Sequence, residues 1–114
     1  MSAITTHVLD TSRGRPASGV AVRLEVENAD GSWRQIGKGA TDADGRARDL
    51  LPDGFTLTEG VYRLAFETGL YFAAQEIEAF YREVVIVFTV SDPAQHYHVP
   101  LLLSPFGYST YRGS

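Results

Sequence analysis

Two histidines, His96 and His98, stand two residues apart in the run His96-Tyr97-His98-Val99-Pro100, close to the end of the 114-residue chain. In a strand, period two turns both imidazoles to one face and Tyr97 and Val99 to the other. Imidazole changes charge near neutral pH, so a pair facing one way suits general acid and base work. It also suits zinc, because His7 as a third ligand would give the count of a catalytic zinc site with an open water position. Strand histidines serve as surface residues and hydrogen-bonded fillers as well, so the pair alone leaves all three readings open.

Arg46 follows directly on Thr41-Asp42-Ala43-Asp44-Gly45, whose Asp-Gly pair marks a turn, and so starts the next short strand. Its planar, permanently charged fork can hold an anion or a developing oxyanion, and a solvated strand-end arginine is the plainer alternative. The Asp42-Ala43-Asp44-Gly45 stretch has the opening of a calcium loop without its later ligands, and a hairpin turn explains it better. Glu76 and Glu78 would share a face if extended, yet solvated acidic residues explain them as well. Ser109, Thr110 and Ser114 offer hydroxyls, but no G-x-S-x-G elbow surrounds them, so a covalent serine mechanism lacks support.

The end of the chain is Tyr111-Arg112-Gly113-Ser114. A terminus carrying aromatics, an arginine, a hydroxyl and its own α-carboxylate has the wrong composition for a frayed tail and is expected to be docked. Alternation would send Arg112 and Ser114 into the same space, while Gly113 lets the backbone approach something closely. A last strand ending on the surface is the simpler alternative.

These groups must be positioned by strands, because the dominant period of the chain is two. Ile4 to Leu9, Val20 to Glu27, Trp33 to Lys38, Gly60 to Glu67, Tyr97 to Leu103 and Tyr108 to Arg112 read as strands separated by Gly, Pro, Asn and Asp. Glu83 to Val90 is too apolar for a one-sided strand and too β-branched for a helix, so it is expected to be a central strand packed on both faces. Thr68 to Glu76 is the one helical candidate, with Thr68 as its cap. The count, about eight strands and one short helix, predicts an all-β sandwich.

Composition narrows the function. A chain of 114 residues is the size of one domain, spanning 1–114, and its 44% hydrophobic content can build a core. No apolar run is long enough to cross a bilayer as a helix. The first residues, Met1-Ser2-Ala3-Ile4-Thr5-Thr6-His7, carry neither a basic nor an apolar leader pattern, so cytoplasmic residence is expected. There are no cysteines, which excludes disulfides, thiolate metal sites and a cysteine nucleophile. A net charge of −4 without a Lys or Arg cluster argues against nucleic acid and anionic membrane, leaving a small molecule or another protein as partner.

The chain resembles the transthyretin-related proteins that are 5-hydroxyisourate hydrolases of urate catabolism. The resemblance runs along its whole length. It is anchored by Thr5-Thr6-His7-Val8-Leu9-Asp10, by Gly14-Arg15-Pro16-Ala17 with Thr41-Asp42-Ala43-Asp44-Gly45-Arg46, and by His98-Val99-Pro100-Leu101-Leu102-Leu103-Ser104-Pro105 through Tyr111-Arg112-Gly113-Ser114. The middle anchors also occur in regulatory and adhesive sandwiches that do no chemistry; the two ends do not. The family's Phe-Tyr-Pro-Glu stretch is replaced here by Phe80-Tyr81-Arg82-Glu83.

The resemblance implies a transthyretin-like sandwich of two four-stranded sheets with one short helix. It also implies a homotetramer with active sites where dimers meet. The implied reaction opens the cyclic amide of 5-hydroxyisourate to 2-oxo-4-hydroxy-4-carboxy-5-ureidoimidazoline by general acid and base catalysis, with no metal and no cofactor. Carried over position by position, His7, Arg46, His98 and Ser114 become catalytic, and Tyr111, Arg112 and Gly113 become substrate-binding. One of His7 and His98 would activate water while the other holds or protonates the ring. The competing class is a transthyretin-like small-ligand carrier or a non-catalytic binding sandwich. Transthyretin itself is not expected to end in Tyr-Arg-Gly-Ser.

Overall fold

The computed structural model describes residues 3–114; Met1 and Ser2, part of the stretch read for a leader, lie outside the described residues. Nine strands and one helix follow in order: β1 Ile4–Asp10, β2 Arg15–Pro16, β3 Ala21–Glu27, β4 Trp33–Ala40, β5 Arg46–Ala47, β6 Gly60–Phe66, α1 Thr68–Ala73, β7 Val84–Val90, β8 Tyr97–Ser104 and β9 Gly107–Thr110. One sheet runs β2-β1-β8-β9 with β5 also paired to β1, and the other runs β4-β3-β6-β7. The all-β sandwich expected from the pattern is therefore present. The two-residue strand β2 lies in the Gly- and Pro-containing stretch between the first two predicted strands, and β5 begins at Arg46, where the Asp-Gly turn predicts a strand start.

The core between the sheets follows from alternation. Ile4, Thr6, Val8 and Asp10 of β1 and Tyr97, Val99, Leu101 and Leu103 of β8 are buried, facing Val22 and Leu24 of β3 and Tyr62, Leu64 and Phe66 of β6. The polar members of this set are satisfied. Thr6 donates to the carbonyl of Val99. The Asp10 carboxylate accepts from the Tyr71 hydroxyl at 2.8 Å and from the backbone N–H groups of Ser12 and Arg13.

The pairing of β1 with β8 is parallel, in the register Thr5↔His98 and His7↔Pro100, whereas the other strand pairs are antiparallel. A β1–β8 pair joins the beginning of the chain to its end. It leaves Thr5 and His7 of β1, and His98 and Pro100 of β8, on the outer face of this sheet.

Two expectations are corrected. β7 is an edge strand paired only with β6, and Val87 is 56% exposed. Its apolar run reads as a centre because both faces carry apolar side chains; one of those faces meets solvent here. The helix stops at Ala73 and not at Glu76, and Thr68 is its first residue, with Glu67 at the cap position making no side-chain cap. Glu76 adopts φ 59°, so the N–H of Ile77 reaches the carbonyl of Phe72 and that of Glu76 the carbonyl of Ala73. This left-handed closure ends the helix and removes Glu76 from any extended pair with Glu78.

Candidate active site

A cleft of about 650 Å³ opens on the outer face of the β1–β8 sheet, lined by Thr5, Thr6, Arg46, Arg48, Asp49, His96, His98 and Ser114. That volume suits a small-molecule ligand. Three chain regions supply it: β1, β5 with the loop after it, and β8 with His96 just before it and Ser114 of the tail.

The Asp42 to Arg46 turn is built by its own polar groups. The carboxylate of Asp42 accepts from the N–H of Asp44 at 2.9 Å and of Arg46 at 3.0 Å. These bonds, that to Arg46 foremost, hold the Asp42 carboxyl below its ordinary range. Gly45 sits at φ +78°, where a Cβ would come within 2.4 Å of the Val8 carbonyl oxygen. No other residue lets the turn lie so close to β1. Arg46 is thereby set opposite His7 in the β1–β5 pair, at the cleft wall, with no ion-pair partner among the described residues.

His7 itself is not among the residues lining the cleft. Its Nε2 lies 2.8 Å from the carbonyl oxygen of Asp44. A carbonyl only accepts, so this nitrogen carries the proton and Nδ1 is the nitrogen left for other work. His98 is half-buried, and its Nδ1 lies 2.8 Å from the Thr5 hydroxyl, which also lies 2.9 Å from Nε2 of His96. The His98 imidazole is held below its ordinary 6.5, first by burial and then by the positive potential of His96, His7 and Arg46. Its surroundings thus favour the neutral ring, and its Nε2 makes no hydrogen bond among the described residues.

The tail is docked, but not as simple alternation predicts. The ladder of β9 ends at Thr110, and contact resumes at Gly113, whose N–H donates to the carbonyl of His98 at 2.8 Å. A Cβ on Gly113 would lie 2.6 Å from Cδ2 of His98 and 3.3 Å from Cγ of Pro100, so the glycine permits this approach to the histidine ring. Ser114 then reaches the cleft.

Arg112 does not accompany it. Its guanidinium lies 4.6 Å over the Tyr97 ring and donates to Gln95 Oε1 at 2.9 Å. Tyr111 is 57% exposed and, with Arg112, borders a separate groove beside β7 and β8. Strand alternation fails here because residues 111 and 112 lie outside the ladder.

The structure thus brings Arg46, His98 and Ser114 into one cleft with His7 at its margin. It leaves Tyr111 and Arg112 outside. Among the described residues no three of His, Asp and Glu are placed to hold a metal ion. Thr5, Arg48 and Asp49 are site residues that the sequence reading did not single out. For Thr5 the available signal was its parity with His7, which puts both on one face of β1.

Sandwich, parallel terminal strands and an outer-face histidine–arginine cleft define a transthyretin-like protein. The description "HIUase/Transthyretin family" matches residues 4–113, and the chain belongs to that family. It is 51% identical over 119 residues to a 5-hydroxyisourate hydrolase of Caulobacter vibrioides, with 100% of both chains covered. Among solved structures, transthyretin from Sparus aurata superposes with a TM-score of 0.92 at 35% identity, covering 99% of this chain and 97% of that one. Klebsiella pneumoniae 5-hydroxyisourate hydrolase superposes with a TM-score of 0.83 at 38% identity, covering 97% and 98%. The backbone therefore accommodates both proteins, and the side chains of the cleft must decide between them.

Proposed function

We propose that this protein is a 5-hydroxyisourate hydrolase of urate breakdown, acting on its small-molecule substrate by general acid and base catalysis. The observation that carries the reading is a half-buried His98 sharing one cleft with Arg46, a cation without an ion-pair partner among the described residues. A carrier has no use for a positioned base beside such a cation. Hydrolysis of a cyclic amide requires both.

In this reading, Nε2 of His98 takes a proton from water as the water oxygen bonds to the amide carbonyl carbon. Arg46 stabilises the oxyanion that forms. The C–N bond then breaks and the ring nitrogen takes up a proton, so one water is consumed and a carboxylate is released. His7, oriented by the carbonyl of Asp44, holds the far side of the ring through Nδ1. The Ser114 hydroxyl supplies a further polar contact. Tyr111 and Arg112 join the site only through a neighbouring subunit.

The same proposal includes a homotetramer. The cleft opens outward and is not enclosed between the sheets, so a second copy would close it and exclude water. The apolar free edge of β7 and the exposed rings of Phe80, Phe106, Tyr108 and Tyr111 support such pairing.

Product identification tests the activity. Freshly generated, carbon-13-labelled 5-hydroxyisourate mixed with the protein gives the ring-opened ureidoimidazoline carboxylate before appreciable spontaneous decay. Persistence of the intact ring at its uncatalysed lifetime would assign the protein to the carriers.

A further inference from the structure

The Thr5 hydroxyl lies 2.8 Å from Nδ1 of His98 and 2.9 Å from Nε2 of His96, while the two rings stand 6.4 Å apart between centroids. Neither imidazole reaches the other, so the hydroxyl is the group that connects them. A hydroxyl has one proton. It can donate to only one of the two nitrogens, and with both contacts formed the other ring must donate to it. The protonation patterns of His96 and His98 are therefore not independent.

The placement is built in by the fold. Parallel register sets Thr5 beside His98, and Thr5 is buried, at 5% exposure, so bulk water does not substitute for the hydroxyl. His98 is half-buried and His96 is exposed, which orients the three groups from the cleft interior toward solvent.

We propose that Thr5 is a positioning residue that links His98 to His96 as a proton relay. When Nε2 of His98 takes a proton from the attacking water, the Nδ1 proton of His98 passes to Thr5 Oγ1. The Thr5 hydroxyl proton passes in the same movement to Nε2 of His96. His98 ends neutral in its other tautomer and His96 ends as the imidazolium. Proton count is conserved, with one gained by His96 and one lost by water. When the leaving nitrogen takes the Nε2 proton of His98, the relay runs back, His96 returning a proton to Thr5 Oγ1 and Thr5 returning one to Nδ1 of His98. The relay gives His98 both of its roles in turn and moves the charge to the ring that solvent can reach. This rests on the hydrolase reading for its purpose, though not for its geometry.

Around the relay stand His7 on β1, Arg46 on β5, Arg48, Asp49 and Ser114 of the cleft wall, and Arg112, whose Nη2 lies 3.4 Å from the His96 carbonyl oxygen. None of them bridges the two rings.

The experiment is a pH titration of the ligand-free full chain, labelled with nitrogen-15, following the imidazole nitrogens of His96 and His98 by NMR, beside Thr5→Val and Thr5→Ser. Valine keeps the branched shape and removes the hydroxyl. In the unaltered protein both rings should titrate in shared steps as a coupled pair. In Thr5→Val the shared steps should weaken to the electrostatic coupling of two nearby rings, and kcat should fall by about 10- to 100-fold with KM changed by less than about threefold. Thr5→Ser should restore the shared steps and most of kcat. Independent single-step titration in the unaltered protein, or a Thr5→Val variant with unchanged titrations and kcat, overturns the relay. If the unaltered protein titrates as a coupled pair but does not hydrolyse 5-hydroxyisourate, the functional reading fails and the linkage stands.

Discussion

Replacing Gly113 with alanine should disable the site through its closest packing contact. The added Cβ would lie 2.6 Å from Cδ2 of His98 and 3.3 Å from its Cγ. Carbon atoms at rest stand about 3.5–4.0 Å apart, so the ring must retreat by about 1 Å. Little else can yield, because the Gly113 N–H is bonded to the His98 carbonyl at 2.8 Å and Cγ of Pro100 also lies 3.3 Å from the new methyl. Retreat from Gly113 also disturbs the 2.8 Å contact between His98 Nδ1 and Thr5, which pairs with His98 from the opposite side. Misplacing a reacting group by about 1 Å costs on the order of 10²-fold in rate, equivalent to about 2.7 kcal/mol of transition-state stabilisation. Stopped-flow absorbance at substrate concentrations below KM reads this loss as kcat/KM. The clash lies outside the core, so the melting temperature should fall by less than about 5 °C. A folded Gly113→Ala variant with kcat/KM within about threefold of the parent would refute the argument that this glycine positions His98.

Three further outcomes are expected. His98→Ala should lower turnover by about 10²- to 10⁴-fold while circular dichroism stays unchanged, and near-normal turnover would remove His98 from the chemistry. Deleting Arg112 to Ser114 frees the strand-end contact at Gly113 and removes Ser114 from the cleft, so activity should drop sharply with little loss of sheet; a fully active truncation counts against a functional tail. The base works when neutral and its pKa is lowered, so kcat/KM should be level at pH 7 and decline as pH falls through a midpoint below 6.5. A midpoint at or above that value would contradict the burial and charge surrounding His98.

Local pattern exposed much of this site. Period two put His96 and His98 on one face, and both now meet the Thr5 hydroxyl. The Asp-Gly turn put Arg46 at a strand start, where β5 begins. What local pattern could not supply was register. The parallel pairing of β1 with β8 joins residues more than ninety positions apart, so the meeting of Thr5 with His98 left no short-range trace.

Thr5 was also hidden by its neighbour: Thr6 is of the same type but points into the core, where it caps the Val99 carbonyl. Arg48 and Asp49 line the cleft from a loop beyond β5, where alternation says nothing about direction. Two misreadings share one origin. Both β7 and Tyr111–Arg112 were judged as though strands continued around them. β7 is an edge, and the terminal ladder is interrupted after Thr110. An apolar edge strand and a tail whose aromatic and basic members turn outward make chemical sense in an assembly of several copies, which a single chain's periodicity does not encode.

The most direct test of the hydrolase account is the stopped-flow decay of 5-hydroxyisourate, generated in place by urate oxidase, in the presence of the unaltered protein and of His98→Ala. The account predicts first-order acceleration proportional to protein concentration that is nearly abolished in the variant. Substrate binding without faster decay, or equal acceleration by both proteins, would contradict it.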